Sequence, residues 1–160
     1  METLRRRFRV LGRTGSASVE MALIVPLLVY MMMGIVEMGV MVNAYMQVRT
    51  VAREGARVAA VGRIPADVDA RATAVAAALN RTHMTVTKQY RTYLGSGSWG
   101  EWKELVPDGA GSNTAPAGSH IRVTVTYVHR LLMPGMFRVL ADGHTGVNKT
   151  ITSRVVMRRE

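Results

Sequence analysis

The chain has 160 residues, enough for one domain of ordinary size with a tail and too few for a multidomain enzyme. It contains no cysteine, which excludes a disulfide framework, a thiolate nucleophile and cysteine-based zinc or iron–sulfur sites. Its net charge of +10 would suit anionic partners if the basic residues were clustered. Hydrophobic residues make up 48% of the sequence but aromatic residues only 6%, and this aliphatic composition favours a membrane segment.

A basic leader precedes a long apolar run. From Met21 to Val36 the chain has no charged residue, and after Glu37 it has none until Arg49. At about 1.5 Å per residue, residues 21–48 span about 42 Å, against about 30 Å for the hydrocarbon core of a bilayer. We therefore predict one retained transmembrane helix with a cytoplasmic N-terminus; a buried helix of a soluble protein and a cleaved secretory signal are the alternatives. The leader arginines are Arg5, Arg6, Arg7, Arg9 and Arg13.

The junction between leader and apolar run reads GSASVE, from Gly15 to Glu20. A glycine, four further residues and a glutamate at this place resemble the cleavage site of type IV prepilins, where a membrane aspartic protease cuts after the glycine on the cytoplasmic side. Glycine has no Cβ, so its backbone can lie flat in a protease cleft. A cut between Gly15 and Ser16 would leave the apolar helix as the new N-terminus. The alternative is a small-residue linker in which Ser16 or Ser18 caps a helix.

Three sequence blocks follow one another in the N-terminal third. Residues 19–26 read VEMALIVP, residues 34–37 read GIVE, and residues 52–57 read AREGAR. Together they resemble the TadE-like family of pilus assembly proteins, over about a third of the chain. The closing VVMRRE of residues 155–160 also looks like the usual ending of that family.

This resemblance implies a minor pseudopilin or assembly component of a Tad (Flp-type) pilus. Such a protein is made as a membrane precursor, trimmed by a prepilin peptidase and used to build an extracellular adhesive filament. The implied partners are the prepilin peptidase, other Tad pilins and pseudopilins, membrane lipid and, indirectly, the Tad inner-membrane platform and assembly ATPase. No cofactor, metal or enzymatic activity is expected. The expected location is the cytoplasmic membrane, crossed once with the C-terminal part outside, and also the extracellular pilus.

Two acidic residues flank and interrupt the apolar run. After cleavage at Gly15, Glu20 would be the fifth residue of the product, and its carboxylate would suit the new α-amino group of a neighbouring pilin. An acid that favours the positive N-terminal end of the helix dipole is a compatible alternative. Glu37 lies about 25 Å further along the axis, so the two residues cannot form one site. We expect Glu37 at the outer headgroup layer, or inside the bilayer paired with another Tad component.

The end of the predicted helix carries a motif of Arg53, Glu54, Gly55 and Arg57. Arg49, Arg53 and Arg57 recur every four residues and therefore line one stripe of the helix. Such a stripe suits acidic headgroups or a partner helix, and a merely solvated face is equally consistent with it. A small-residue surface lies beside the stripe, formed by Ala52, Ala56, Ala59 and Ala60.

The remainder predicts a small α+β head. Gly62 and Pro65 end the first helix, and a second helix is predicted from Pro65 to Leu79. Alternating apolar residues then predict strands. The predicted fold is pilin-like: a long N-terminal transmembrane helix followed by one helix packed on an antiparallel sheet. The strands are expected near residues 84–90, 99–106, 121–127 and 147–157. The predicted domains are a leader (1–15), a transmembrane and stalk helix (16–62) and an extracytoplasmic head (63–160).

No catalytic constellation is recognisable in the sequence. Four histidines are scattered without the spacing of metal ligands, and the phosphate-binding glycine motifs are lacking, which leaves ATP-driven work to a partner. The histidines are His83, His120, His129 and His144.

Two further interpretations concern binding by the head. Trp99 and Trp102 suit packing in a hairpin, or a surface for a partner or glycan. Nucleic-acid binding is disfavoured, because the basic residues of 58–160 are spread thinly, without a basic stripe or an aromatic platform. The alternative to the pilin interpretation is an uncleaved single-pass envelope protein whose head binds a ligand or partner. Removal of the leader discriminates between them.

Overall fold

The computed structural model describes residues 2–144 and 146–160, without the side chains of residues 2–14 and His144. Its first element, α1, is one helix of 59 residues, Glu2–Ala60. The stretch Gly15–Ala60 is long and apolar enough to cross a membrane, and its most apolar 18-residue window, with a mean hydropathy of 2.2, has no buried residue. The predicted long N-terminal helix is therefore confirmed.

The chain divides into two compact units, which we call the N-terminal unit (Met1–Gly39) and the C-terminal unit (Val40–Glu160). Large apolar side chains in the described part of the N-terminal unit are exposed, with Leu23 at 74% and Ile35 at 72%. The predicted domain limits after residues 15 and 62 stay predictions.

In the described part of the C-terminal unit, the last turns of α1 are followed by one α-helix, three short 3-10 helices and six strands. Helix α2 is Pro65–Val75. Its sequence begins with proline, which suits the first helical turn because the missing N–H has no partner there. Four antiparallel strands form one sheet in the order β4-β1-β5-β6, and β2 pairs with β3 in a separate hairpin. The strands are β1 (Met84–Arg91), β2 (Tyr93–Gly95), β3 (Ser98–Trp99), β4 (Lys103–Glu104), β5 (His120–Arg130) and β6 (Asn148–Arg158).

These elements confirm the predicted α+β class, with two differences in detail. Helix α2 ends four residues before Leu79, because Ala76 leaves helical geometry at ψ 48° and the next N–H, that of Ala77, bonds the Val75 carbonyl at 2.8 Å. The predicted strand from Trp99 to Val106 is divided into β3 and β4. Between them the Gly100 N–H donates to the Thr92 carbonyl at 2.9 Å, so the chain turns back toward the end of β1.

The core lies between the helices and one face of the sheet. Along β5 alternate side chains are buried, because successive residues of a strand point to opposite faces. Val68 and Ala72 of α2 and the last four turns of α1 cover this face with small apolar side chains. Fully buried residues of α1 are Val48, Val51, Ala52, Ala56 and Ala59.

The loop between β4 and β5 caps the C-terminus of α1. Asn113 is 2% exposed, and its Nδ2 donates to the carbonyls of Ala59 at 3.0 Å and Arg63 at 2.9 Å. Gly62 follows the helix with φ +90°, a left-handed conformation that favours glycine at this position. A Cβ there would lie 3.0 Å from Nη2 of Arg159, which bonds the same loop. The loop thus satisfies carbonyls that a helix end leaves without partners.

Candidate functional site

The junction predicted from the sequence lies inside α1. Gly15 is exposed, and a Cβ added to it would meet nothing within 4 Å. The fold therefore does not require glycine here. Glycine within a helix costs about 1 kcal/mol relative to alanine, which makes this point of the helix easier to unwind. Local unwinding is what a protease needs to bind the backbone in an extended form.

Ser16 and Glu20 face each other one turn apart. The Ser16 hydroxyl donates to Oε1 of Glu20 at 3.4 Å, and both side chains are exposed. Because α1 already begins at Glu2, neither Ser16 nor Ser18 caps a helix, and the linker alternative is wrong. Glu20 is thus an exposed acid on the surface of α1.

Glu37 differs sharply from its neighbours on α1. It is 1% exposed, whereas Val36 is 49% and Met38 is 48% exposed. It lies seventeen residues after Glu20 on the same helix, about 25 Å along the axis, so the two carboxylates are separate features. Its expected place in the headgroup layer or the bilayer stays a prediction.

Glu54 links the end of α1 to α2. Its Oε2 accepts hydrogen bonds from Nη2 of Arg57 at 3.0 Å and from Nη2 of Arg71 at 3.1 Å. These hydrogen bonds, first that of Arg57 and then that of Arg71, hold the pKa of Glu54 below its usual range. Arg49 and Arg53 are exposed on the stripe predicted from the sequence. Glu54 of the motif thus joins α1 to α2 through its hydrogen bonds.

Gly55 lies where α1, α2 and the sheet approach most closely. A Cβ at this residue would lie 3.4 Å from Cγ1 of Val123 on β5 and 3.5 Å from Cγ1 of Val68 on α2. The neighbouring Ala52 and Ala56 have no exposed surface. The small-residue surface of α1 is therefore covered by the chain's own C-terminal unit. A helix of another protein is not needed to bury it.

Sequence reasoning singled out Trp99 and Trp102 but missed the cluster of histidine and arginine side chains that they join on the other face of the sheet. The Trp99 ring stacks on His120 with centroids 3.7 Å apart. The Arg91 guanidinium lies 4.7 Å from the Trp102 ring centroid, and that of Arg122 lies 3.9 Å from it. Arg122 also donates from Nε to Gln89 at 3.0 Å. We call this set of aromatic and basic residues the basic sheet face.

The basic sheet face is rich in positive charge. Burial, followed by Arg91 and Arg158, lowers the pKa of His120; burial, followed by Arg154 and Arg91, lowers the pKa of Arg122. No salt bridge joins these arginines to a carboxylate in the described part of the chain. The sequence signal for this cluster was the alternation along β5, which places His120 and Arg122 on the same face of the strand. Which strands would lie beside them could not be read from the sequence.

The comparisons with known proteins bear on α1. Residues 15–57 match the family model described as TadE-like protein. The N-terminal segment is thus similar to that family over about a quarter of the chain. The match begins at Gly15 and ends within the helix-end motif, so it contains the sequence blocks that carried the resemblance. No curated protein and no solved structure matches the chain.

This family match points to a function associated with the Tad pilus and to association with other Tad components. Among the described residues one apolar helix is long enough to cross a membrane, which indicates a single-pass membrane protein. The N-terminal third of the molecule thus carries the family features. The C-terminal unit supplies the sheet and its basic face.

Proposed function

We propose that the chain is a minor pseudopilin or assembly component of a Tad-type pilus, processed by a prepilin peptidase between Gly15 and Ser16. The observation that carries the proposal is the exposed glycine at the start of the TadE-like segment, which no packing in the described structure requires. Cleavage there would remove the basic leader and keep the apolar helix. The product would remain in the membrane until it enters or assists the filament.

In this proposal the two ends of α1 have different tasks. The apolar residues after Ser16 hold the protein in lipid and pack against other pilins, because their large side chains are exposed. The helix-end motif holds α2 and the sheet against the last turns of α1 through Glu54 and Gly55. The energy for assembly comes from the partner ATPase through the inner-membrane platform. The chain itself acts as a structural component of an adhesive filament rather than as an enzyme.

Glu20 is proposed to pair with the new α-amino group of a neighbouring subunit. Glu20→Gln keeps the shape of the side chain but removes its charge, which would leave an ammonium unpaired in an apolar setting at a cost of several kcal/mol. We expect the variant to be cleaved normally and to fail in assembly. The measurement compares the processed fraction on immunoblots with the yield of surface pili.

Glu101→Gln is a matched control, because Glu101 is also exposed and lies outside the TadE-like segment. It should leave both readouts unchanged. Normal piliation by Glu20→Gln would contradict the charge pair and leave the helix-dipole role, which is worth only about 0.3–1 kcal/mol. Loss of cleavage together with pili would show that the peptidase itself reads Glu20.

A second candidate function is favoured by the basic sheet face. An uncleaved single-pass envelope protein could use that face to bind a ligand or partner outside the membrane. The two functions differ at the N-terminus, since only the pseudopilin loses residues 1–15. An intact leader in cells with an active prepilin peptidase would favour the second function.

A further inference from the structure

Two adjoining cavities open beside the β2–β3 hairpin. One has a volume of about 260 Å³ and is lined by Tyr93, Trp99, His120 and Arg158, together with Gly118. The other, of about 370 Å³, extends along residues 116–119 and shares Tyr93, Gly118 and Arg158 with the first. We call the joint space the hairpin cleft. It is wide enough for a small polar ligand or one part of a larger one.

The aromatic wall of the cleft is held rigidly. The Tyr93 ring meets the Trp99 ring at 5.1 Å with an interplanar angle of 60°, and its hydroxyl accepts the Gly97 N–H at 2.8 Å. Trp99 in turn stacks on His120. Tyr93 is nevertheless 54% exposed, so a flat apolar surface faces outward beside the cleft. Such a surface suits the C–H face of a sugar ring.

The opposite wall is cationic. Arg158, at the end of β6, lies next to His120 in the register of the sheet. It is exposed and has no acidic partner among the described residues. Arg91 approaches His120 from the other side, with its Nη2 3.5 Å from Nδ1. Guanidinium groups without carboxylates nearby are suited to a carboxylate or phosphate ligand, which they bind in a forked geometry.

A buried polar group adds to this arrangement. Ser119 lines the larger cavity and is 2% exposed, and its Oγ has no hydrogen-bond partner among the described residues. A buried hydroxyl without a partner costs about 1–3 kcal/mol. An oxygen of a ligand in the cavity could satisfy it after rotation about χ1.

We propose that the hairpin cleft binds an acidic sugar of an anionic glycan. Arg158 holds the carboxylate, Tyr93 stacks on the sugar ring, and Arg91 and Arg122 attract the acidic groups of neighbouring sugars along the basic sheet face. This site lies in the C-terminal unit and is independent of how the leader is processed. Through this site the extracytoplasmic part of the protein would bind a glycan on an outside surface.

Single-stranded nucleic acid is the less suitable polyanion. Such ligands stack successive bases on free aromatic faces. Here the Trp99 ring is already stacked on His120, and the Trp102 ring already contacts two guanidinium groups. Tyr93 alone remains as an open ring in the cleft wall, which matches one sugar better than a run of bases.

The test uses the full chain in detergent micelles and follows intrinsic fluorescence, because both tryptophans of the protein lie on the basic sheet face. The probes are a short oligogalacturonate, the same oligomer with its carboxylates reduced to alcohols, and a single-stranded oligothymidylate of equal charge. We expect saturable binding of the acidic oligomer, about tenfold weaker or absent binding of the reduced oligomer, and weakening by added salt.

Arg158→Gln should weaken binding of the acidic oligomer about tenfold. Arg130→Gln is the matched control, because Arg130 is exposed at the far end of β5 and its loss changes the net charge equally. Equal affinities for the acidic and reduced oligomers, equal effects of the two variants, or tighter binding of oligothymidylate would each overturn the proposal. The comparison of wild-type protein with the two oligomers remains decisive if Arg158→Gln does not fold.

Discussion

One helix, α1, contains two stretches that both carry apolar side chains and yet differ in almost every physical respect. Between residues 15 and 39 most of the large apolar side chains are exposed, as at Leu23 and Ile35, whereas Glu37 is buried. Between residues 44 and 60 the inward-facing side chains are alanine and valine, and many have no exposed surface. The helix is continuous across both.

The difference lies in what surrounds each stretch. Large exposed apolar side chains are suited to a nonpolar environment outside the chain, such as lipid or the apolar helices of other proteins. Small side chains let a second layer come close, which is how α2 and β5 reach Gly55. Hydropathy marks only the first stretch as apolar, since the second carries Arg49, Arg53 and Arg57 on its exposed side. Side-chain size separates the part of α1 that serves an external partner from the part that serves the fold.

The largest expected effect comes from cutting the helix at different points. A fragment of residues 40–160 keeps every buried residue of α1 in the core, including Val48 and Val51, and should be soluble and unfold cooperatively. A fragment of residues 63–160 lacks those side chains and should aggregate or remain unfolded. Circular dichroism melts of the two fragments check this. A cooperative melt of residues 63–160 at the same temperature would remove the structural distinction between the two stretches.

Substitution of a glycine in each stretch should sharpen the comparison. Gly55→Leu must place a side chain against Val123 and Val68, and overpacking of this kind typically costs about 1–3 kcal/mol. Gly39→Leu is the control, because a Cβ at Gly39 meets nothing within 4 Å. Measured in the full chain in detergent, Gly55→Leu should lower the melting temperature of the sheet and Gly39→Leu should not. Equal changes would mean that Gly55 is not a point of close approach.

The smallest expected effect concerns charge at the end of the buried stretch. The pKa of Glu54 is lowered by its hydrogen bonds to Arg57 and Arg71, so the stabilisation it gives is present above its ordinary pKa and is lost as the pH falls through the lowered value. Glu54→Gln should therefore be slightly less stable than the wild type at neutral pH. The two should converge in acid, where the wild-type carboxyl is protonated. Thermal melts at both pH values check this, and a constant difference would assign the effect to packing.

Much of the fold could be predicted because the pattern of residues is local. The uncharged run predicted the long helix α1. The alternation of Ile121, Val123 and Val125 predicted β5 and its buried face. The early end of α2 was missed because Ala76 to Ala78 are good helix formers, and the departure from helical geometry at Ala76 depends on tertiary contacts.

The candidate site was only partly predictable, for a related reason. Gly15 and Glu20 stand in one short segment, so their spacing is visible in the sequence. The basic sheet face joins Arg91, Trp102 and Arg122 from separate strands and loops, and their proximity depends on strand order and register. Basic residues that look thinly spread along the chain are therefore gathered by the sheet. Spacing along the sequence therefore did not reveal this surface, because of this long-range pairing, and the expectation that the chain does not bind nucleic acid stays a prediction.

The central claim is tested most directly by sequencing the N-terminus of the protein extracted from membranes of cells with an active prepilin peptidase. The account predicts that the wild type begins at Ser16, that Gly15→Leu retains the leader while remaining in the membrane, and that Gly39→Leu is trimmed like the wild type. Insertion should survive in every case, because it depends on the apolar run after Ser16. The same N-terminus in the wild type and in Gly15→Leu would contradict the account.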